Sequence, residues 1–206
     1  MRAALIGKKI GMTSLFTEAG VRIPCTVIEA GPCAVTIKRT MERDGYTAIQ
    51  IGYGEIAERK VNKPEKGLFD KVGIKPLRHL KEFRNPEKEY EVGDELTVTD
   101  FEKGDKVKIT GKSKGRGFQG VVKRHGFAGV GMQTHGQKDR QRHPGSVGQS
   151  SYPSRVLKGT RMGGRMGGTK VSVNNLEIIE IIADRNLILL KGCVPGAPNS
   201  LIEIVK

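Results

Sequence analysis

The sequence predicts a mainly β protein, a barrel or a sandwich, interrupted by one long basic, glycine-rich segment. Three observations carry this. Short runs rich in Ile, Val and Thr recur through residues 1–55, 90–110 and 171–206, and turn residues separate them. No long helical period lies between these runs. The third observation is where the charge sits. Residues 111–168 contain 12 Lys and Arg and a single acid, Asp139, so they hold +11 of the net +14. That leaves 24 of the 36 bases and 21 of the 22 acids to the other 148 residues, which are close to balanced.

Strands are predicted over residues 3–6, 11–16, 21–29, 34–39 and 47–53. Glu18-Ala19-Gly20, Gly31-Pro32 and Asp44-Gly45 mark turns between them. Residues 56–90 form a basic insertion in this body. Lys60, Lys63, Lys66 and Lys71 make a second, weaker basic patch there. Pro64 and Gly73 bracket one or two helical turns over 65–72. A strand is predicted over 78–83 and an acidic turn over 85–89. Residues 95–99 and 106–110 alternate apolar and polar, and read as two strands tightly joined through Glu102-Lys103-Gly104-Asp105. A short helix over 119–124 stops at Gly126. Over 129–168 no regular structure is predicted, only turns at Pro144 and Pro153. The β pattern resumes at Val171. Strands over 176–182 and 187–191 flank the hairpin turn Asp184-Arg185-Asn186, and a last strand over 201–206 follows a loop at 195–199. The chain therefore divides into a β body, 1–110 with 169–206, and an excursion, 111–168, anchored at both ends.

The excursion has too little oil to fold alone. Its large apolar side chains are Phe118, Val121, Val122, Phe127, Val130, Met132, Val147, Tyr152, Val156, Leu157, Met162 and Met166. Their burial falls well short of the entropy of ordering the backbone. The segment is therefore either disordered, a solvated basic loop, or ordered by a partner that supplies the difference, and the charge points to a polyanion, of which nucleic acid is the commonest. Fifteen glycines keep such a peptide thin and free in φ, as entry between RNA helices requires. Lys112, Lys114, Arg116, Lys123, Arg124, Arg140, Arg142, Arg155, Lys158, Arg161 and Arg165 are the candidates for neutralising phosphates. His125, His135 and His143 are candidates for hydrogen bonds to phosphates or bases.

Competing chemistries fail on context. Gly115-Arg116-Gly117-Phe118-Gln119-Gly120 has dinucleotide-loop spacing, but neither a long helix nor a second strand follows it. Gly111-Lys112-Ser113 ends like a phosphate-binding loop, yet Lys106 stands where that motif needs glycine. The three histidines lack a fourth ligand at metal spacing. Asp139, His143 and Ser146 lack a scaffold to hold them as a catalytic set. No cofactor, no metal, no small-molecule substrate and no enzymatic activity are expected. Cys25, Cys33 and Cys193 form no C-x-x-C pair, which suits a reducing cytoplasm. Lys8 and Lys9 break the N-terminal apolar run, and nothing approaches a membrane span, so no membrane partner is expected. A general nucleic-acid chaperone is the first alternative reading, and a nucleotide-dependent enzyme using Gly115–Gly120 is the second.

Several motifs carry a resemblance. Gly7-Lys8-Lys9-Ile10-Gly11-Met12-Thr13 opens the chain, followed by Ala30-Gly31-Pro32-Cys33 and Asp44-Gly45-Tyr46. SKGRGFQGVVKRHGF at 113–127 is the most specific. Thr134-His135-Gly136, Pro144-Gly145-Ser146-Val147-Gly148-Gln149 and LILLKGCVP at 187–195 complete the set. In this order they resemble the bacterial large-subunit ribosomal protein number three family over nearly the full length. The resemblance implies a closed six-stranded translation-protein-type barrel. It implies a primary binder of 23S rRNA near its 3′ end that helps nucleate 50S assembly, in the cytoplasm. The excursion would then run towards the peptidyl transferase centre, with Pro144, Gly145, Ser146, Val147, Gly148, Gln149 and Ser150 at its tip. Large-subunit proteins fourteen and nineteen would be neighbours, and Gln149 matches a glutamine that some lineages methylate. Three places depart from the family pattern. Gln141 replaces a usual His, Leu68 replaces the His common before Phe69, and Tyr152-Pro153-Ser154-Arg155 replaces Pro-Gly-Arg or Pro-Gly-Lys.

Overall fold

The computed structural model describes residues 3–131 and 135–206. Met132 of the apolar set and Thr134 of the Thr134-His135-Gly136 motif lie outside the described residues. In chain order the elements are β1 (Ala4–Phe16), β2 (Arg22–Ala30), β3 (Cys33–Arg39), α1 (Met41–Asp44), β4 (Ala48–Glu55), α2 (Lys63–Val72), β5 (Leu77–Arg84), β6 (Glu95–Leu96), β7 (Lys106–Lys112), β8 (Phe118–Gln119), α3 (Val121–His125), β9 (Gly164–Arg165), β10 (Lys170–Ile182), β11 (Leu187–Lys191) and β12 (Leu201–Val205). They fall into two compact units. One takes the chain up to Lys112 and again from Lys170, and the other is Ser113–Thr169.

The first unit holds a closed six-stranded barrel, in the order β1-β12-β7-β10-β11-β2, with every pairing antiparallel. Its sequence explains its faces. In β12, Ile202 and Ile204 are fully buried while Leu201, Glu203 and Val205 are only partly so, the alternation of a strand with one face on a core. In β1, Ala4, Leu5, Ile6 and Gly7 are buried without a break. Such a run belongs to a strand covered on both faces, here by the barrel interior and by β4. Register shifts in β1, between Lys9 and Gly11, and in β10, between Val173 and Leu176, let the sheet bend and close.

A four-stranded sheet, β5-β4-β3-β6, shares that core. Val35, Ile51, Phe83 and Leu96 pack in one cluster with the barrel's Ile28, Ile109, Ile178 and Ile204. Cys25 and Cys33 are buried and Cys193 is exposed, and all three are free thiols. Burial pushes the Cys33 thiol up to about 12, so at neutral pH it packs as a small apolar group.

Several expectations need correction. Residues 3–6 and 11–16 belong to one strand, because the chain finds a place for the cation between them. Lys9 is buried, and its Nζ donates to the carbonyls of Val194 at 2.8 Å and Gly196 at 3.3 Å. Residues 95–99 and 106–110 do not form a hairpin. β6 pairs with β3, whereas β7 pairs with β10 and β12. Leu96, Val98 and Phe101 are all buried, but a 3₁₀ turn over Val98–Asp100 achieves this in place of a longer strand. The helix expected at 65–72 is longer, since α2 starts at Lys63 with Pro64 in its first turn and ends on Gly73 in the left-handed conformation. Gln119 lies in β8 ahead of α3, not inside the helix. Within 129–168, Gly164–Arg165 is a strand.

Candidate nucleic-acid interface

The second unit is built up from a two-stranded ribbon. Ser113 N donates to Thr169 O at 2.9 Å, Arg116 N to Met166 O at 2.8 Å, and Met166 N to Gly117 O at 2.9 Å. β8 and β9 then pair Phe118 with Arg165 and Gln119 with Gly164. Gly167 makes the narrow ribbon possible. Its φ is +71°, and a Cβ there would run into the Lys114 carbonyl. Gly167→Ala is therefore expected to open the ribbon, costing at least about 1–2 kcal/mol locally for the left-handed backbone alone. Faster amide exchange at Arg116 and Met166 is the measurement, and unchanged exchange there would refute the assignment.

α3 caps the ribbon, with Gly126 ending it as the sequence anticipates. Val121 is the helix's buried residue. Arg124 Nη1 donates to Met162 O at 2.7 Å, and His125 Nε2 donates to the same carbonyl at 3.0 Å. These two groups are half-buried and hold the return arm in place, although a guanidinium keeps four further N–H donors. Ribbon and helix bring Lys114, Arg116, Lys123, Arg124, His125, Arg161 and Arg165 into one region. Lys112 is the last residue of β7 and belongs to the first unit.

Beyond α3 the backbone is sparsely bonded. Among the described residues from 128 to 162, three backbone–backbone hydrogen bonds occur: Val130 N to Gln141 O at 3.0 Å, His143 N to Arg140 O at 3.2 Å, and Thr160 N to Leu157 O at 3.3 Å. The second closes a turn over Arg140–His143, and Arg140, Arg142, His143 and, earlier in the chain, His135 are all exposed. Residues Pro144 to Ser150 follow, also exposed. Gly145, Val147 and Gln149 face Ser154, Arg155 and Val156 across an open groove. Ser146 Oγ donates to Gly148 O at 3.0 Å, which shapes the turn. Ser154 has φ +56°, so a serine here adopts the backbone that the usual glycine of this turn would adopt freely. Lys158 lies further on, exposed before Gly159.

Two features define the chemistry. Among the described residues, no cation of this unit makes an ion pair with a carboxylate, whereas the first unit pairs its charges repeatedly. Arg39 meets Asp44 at 2.8 Å and Glu82 at 3.0 Å, and Glu203 takes Lys81 and Lys170, each at 3.2 Å. The second feature is the near absence of a core. Of the twelve apolar side chains, Val121 is the buried one among those described. Phe118 and Tyr152 are 80% and 86% exposed. By composition these two rings count as material for burial, and the structure leaves them in solvent. Both stand in a stretch crowded with glycines and cations, and Val121 and Val122 after Phe118 and Val156 after Tyr152 do not cover them. Lys138, exposed beside Asp139, is a further cation of the same kind. The G-x-G-x-x-G stretch leads into an antiparallel ribbon and a five-residue helix, not into the parallel unit a dinucleotide needs.

The family model described as ribosomal protein L3 matches residues 87–186. A protein named large ribosomal subunit protein uL3, from Salinibacter ruber, is 50% identical over 207 residues, covering 100% of both chains. Another of that name, from Chlorobium limicola, is 52% identical over 204 residues, covering 98% of this chain and 97% of its own.

Proposed function

The chain belongs to the ribosomal protein L3 family, and from that premise we propose that it is a primary rRNA-binding protein of the cytoplasmic large ribosomal subunit. In this reading the body, 1–110 with 169–206, docks on 23S rRNA near its 3′ end and helps nucleate 50S assembly. The excursion, 111–168, enters between RNA helices and runs towards the peptidyl transferase centre. Pro144, Gly145, Ser146, Val147, Gly148, Gln149 and Ser150 form the end nearest that centre, and Gln149 is an exposed acceptor for methylation. Lys112, Lys114, Arg116, Lys123, Arg140, Arg142, Arg155, Lys158, Arg161 and Arg165 neutralise phosphates. Arg124 and His125 contribute while bracing the return arm, and His135 and His143 donate to phosphates or bases. Phe118 and Tyr152 stack on unpaired bases. Large-subunit proteins fourteen and nineteen are its protein neighbours. Its role is architectural, and the chain performs no chemical step.

The observation that carries this reading is the set of cations in Ser113–Thr169, none with a carboxylate partner among the described residues. Sedimentation of a lysate at moderate salt tests it. The protein is expected to travel with the 50S particle and to leave it only at high salt. Migration with bulk nucleic acid independent of ribosomes would favour a general chaperone instead.

A further inference from the structure

We infer that the outer face of α2 is a second phosphate-binding surface, on which Gly67 lets an RNA backbone approach the helix itself. The inference rests on the rRNA-binding reading above and deepens it, by assigning part of the body's RNA contact to one helical face.

α2 has one anchored side. Phe69 is buried, with Leu68 and Val72 half-buried beside it, and the helix lies against β3. At 3.6 residues per turn, Lys63, Lys66, Gly67 and Lys71 fall on the opposite side. All four are exposed. Asp70 is the acid on that side, and Arg59 and Lys60 add two cations just before the helix. Among the described residues, Arg59, Lys60, Lys63 and Lys71 form no ion pair. Lys66 meets Glu58 at 3.6 Å, but both groups are largely exposed and such a pair holds little.

Gly67 is the independent observation. A glycine inside a helix destabilises it relative to alanine. No contact within this fold calls for one here. Its φ is outside the left-handed region, and a Cβ built there would meet no atom within 4 Å. The bare backbone leaves room for a body outside the chain to touch the helix at this point. Lys63 and Lys71 stand four residues to either side, so they frame Gly67 across about 12 Å of helix. Two lysines about a bare stretch of backbone suit a phosphodiester chain lying across the helix: the ammonium groups take the phosphate oxygens, and the missing methyl admits the sugar.

The test uses the full-length protein and a fragment of 23S rRNA from its 3′ end. Gly67→Ala is expected to raise Tm by roughly 2–4 °C, as a helix-propensity gain predicts. The same variant is expected to bind the RNA about tenfold more weakly, because the added methyl holds the sugar off the helix and lengthens the lysine–phosphate contacts beside it. The double variant Lys63→Gln, Lys71→Gln should lower the salt slope of binding by about 2, one for each phosphate released. Both should remove protection from one RNA segment that Arg142→Gln leaves protected. A Gly67→Ala protein that binds with the wild-type affinity and footprint overturns the inference. So does one that loses affinity for assembled subunits while keeping its RNA footprint, since the face would then meet a protein. If the wild-type protein itself fails to bind the fragment, the rRNA-binding reading falls first.

Discussion

Binding of the full-length protein to the 23S fragment is expected to weaken by roughly 10³–10⁵ between 50 and 200 mM salt, given about six to ten phosphate contacts. The magnitude follows from where the charges stand. A cation already paired with a carboxylate in the free protein releases little when it meets a phosphate, because it has to abandon one anion for another. Arg39, between Asp44 and Glu82, is of that kind. Arg116, Arg140, Arg142, Arg155, Arg161 and Arg165 are not, for they are without a carboxylate partner among the described residues. Each phosphate they reach frees condensed counterions from the RNA, and the cost of recondensing those ions sets the slope. Replacing Arg140 and Arg142 by Gln should lower that slope by about 2, with binding weaker across all RNA sequences tested. A flat profile over the same salt range would mean that neutral contacts dominate, and would remove the physical basis for the proposed function.

How far the sequence can be read depends on the range of the force involved. β12 is legible because burial on one face leaves a local record, Ile202 and Ile204 recurring at a period of two, and β11 because Leu187–Leu190 is an unbroken apolar run with Ile188, Leu189 and Leu190 all buried. α2 and α3 are legible at their ends because Gly73 and Gly126 terminate helices by their own backbone freedom. Partnership is not legible. Leu96 and Val98 carry the same alternation as Val107 and Ile109, yet the first pair serves β6 and a 3₁₀ turn and the second serves the barrel. Alternation reports which side chains are buried and is silent about which strand lies alongside. Hence β3 and β4, which read like barrel strands, turn out to lie in a separate sheet. At the interface, the excess of cations is evident from composition. The pair of hydrogen bonds from Arg124 and His125 to the Met162 carbonyl is not, since they join positions 38 and 37 apart through no repeating pattern. The bare backbone at Gly67 gains meaning only once its surroundings are known to be empty.

Hydrogen exchange on the free protein should separate the two units by orders of magnitude. Amides of β7 and β12 at Ile109, Ile202 and Ile204 lie in a closed barrel with buried side chains, so they exchange only when the barrel opens globally. For a domain of ordinary stability that slows them by roughly 10³–10⁸. The described residues of 128–162 have no such protection. Three backbone hydrogen bonds among the described residues leave most N–H groups there facing solvent, and no apolar cluster holds those three closed. They should exchange at nearly the rate of an unfolded peptide. The ribbon, with Arg116 and Met166 paired, should fall between the two. Adding the 23S fragment at low salt should then slow residues 128–162 far more than the barrel, because RNA supplies the partners that the chain lacks, and the same amides should be released as salt rises. Strong protection of 128–162 without RNA would show that these residues hold their conformation unaided. The cations would then be decoration on a finished structure, and the link from the missing core to the RNA partner would be broken at its first step.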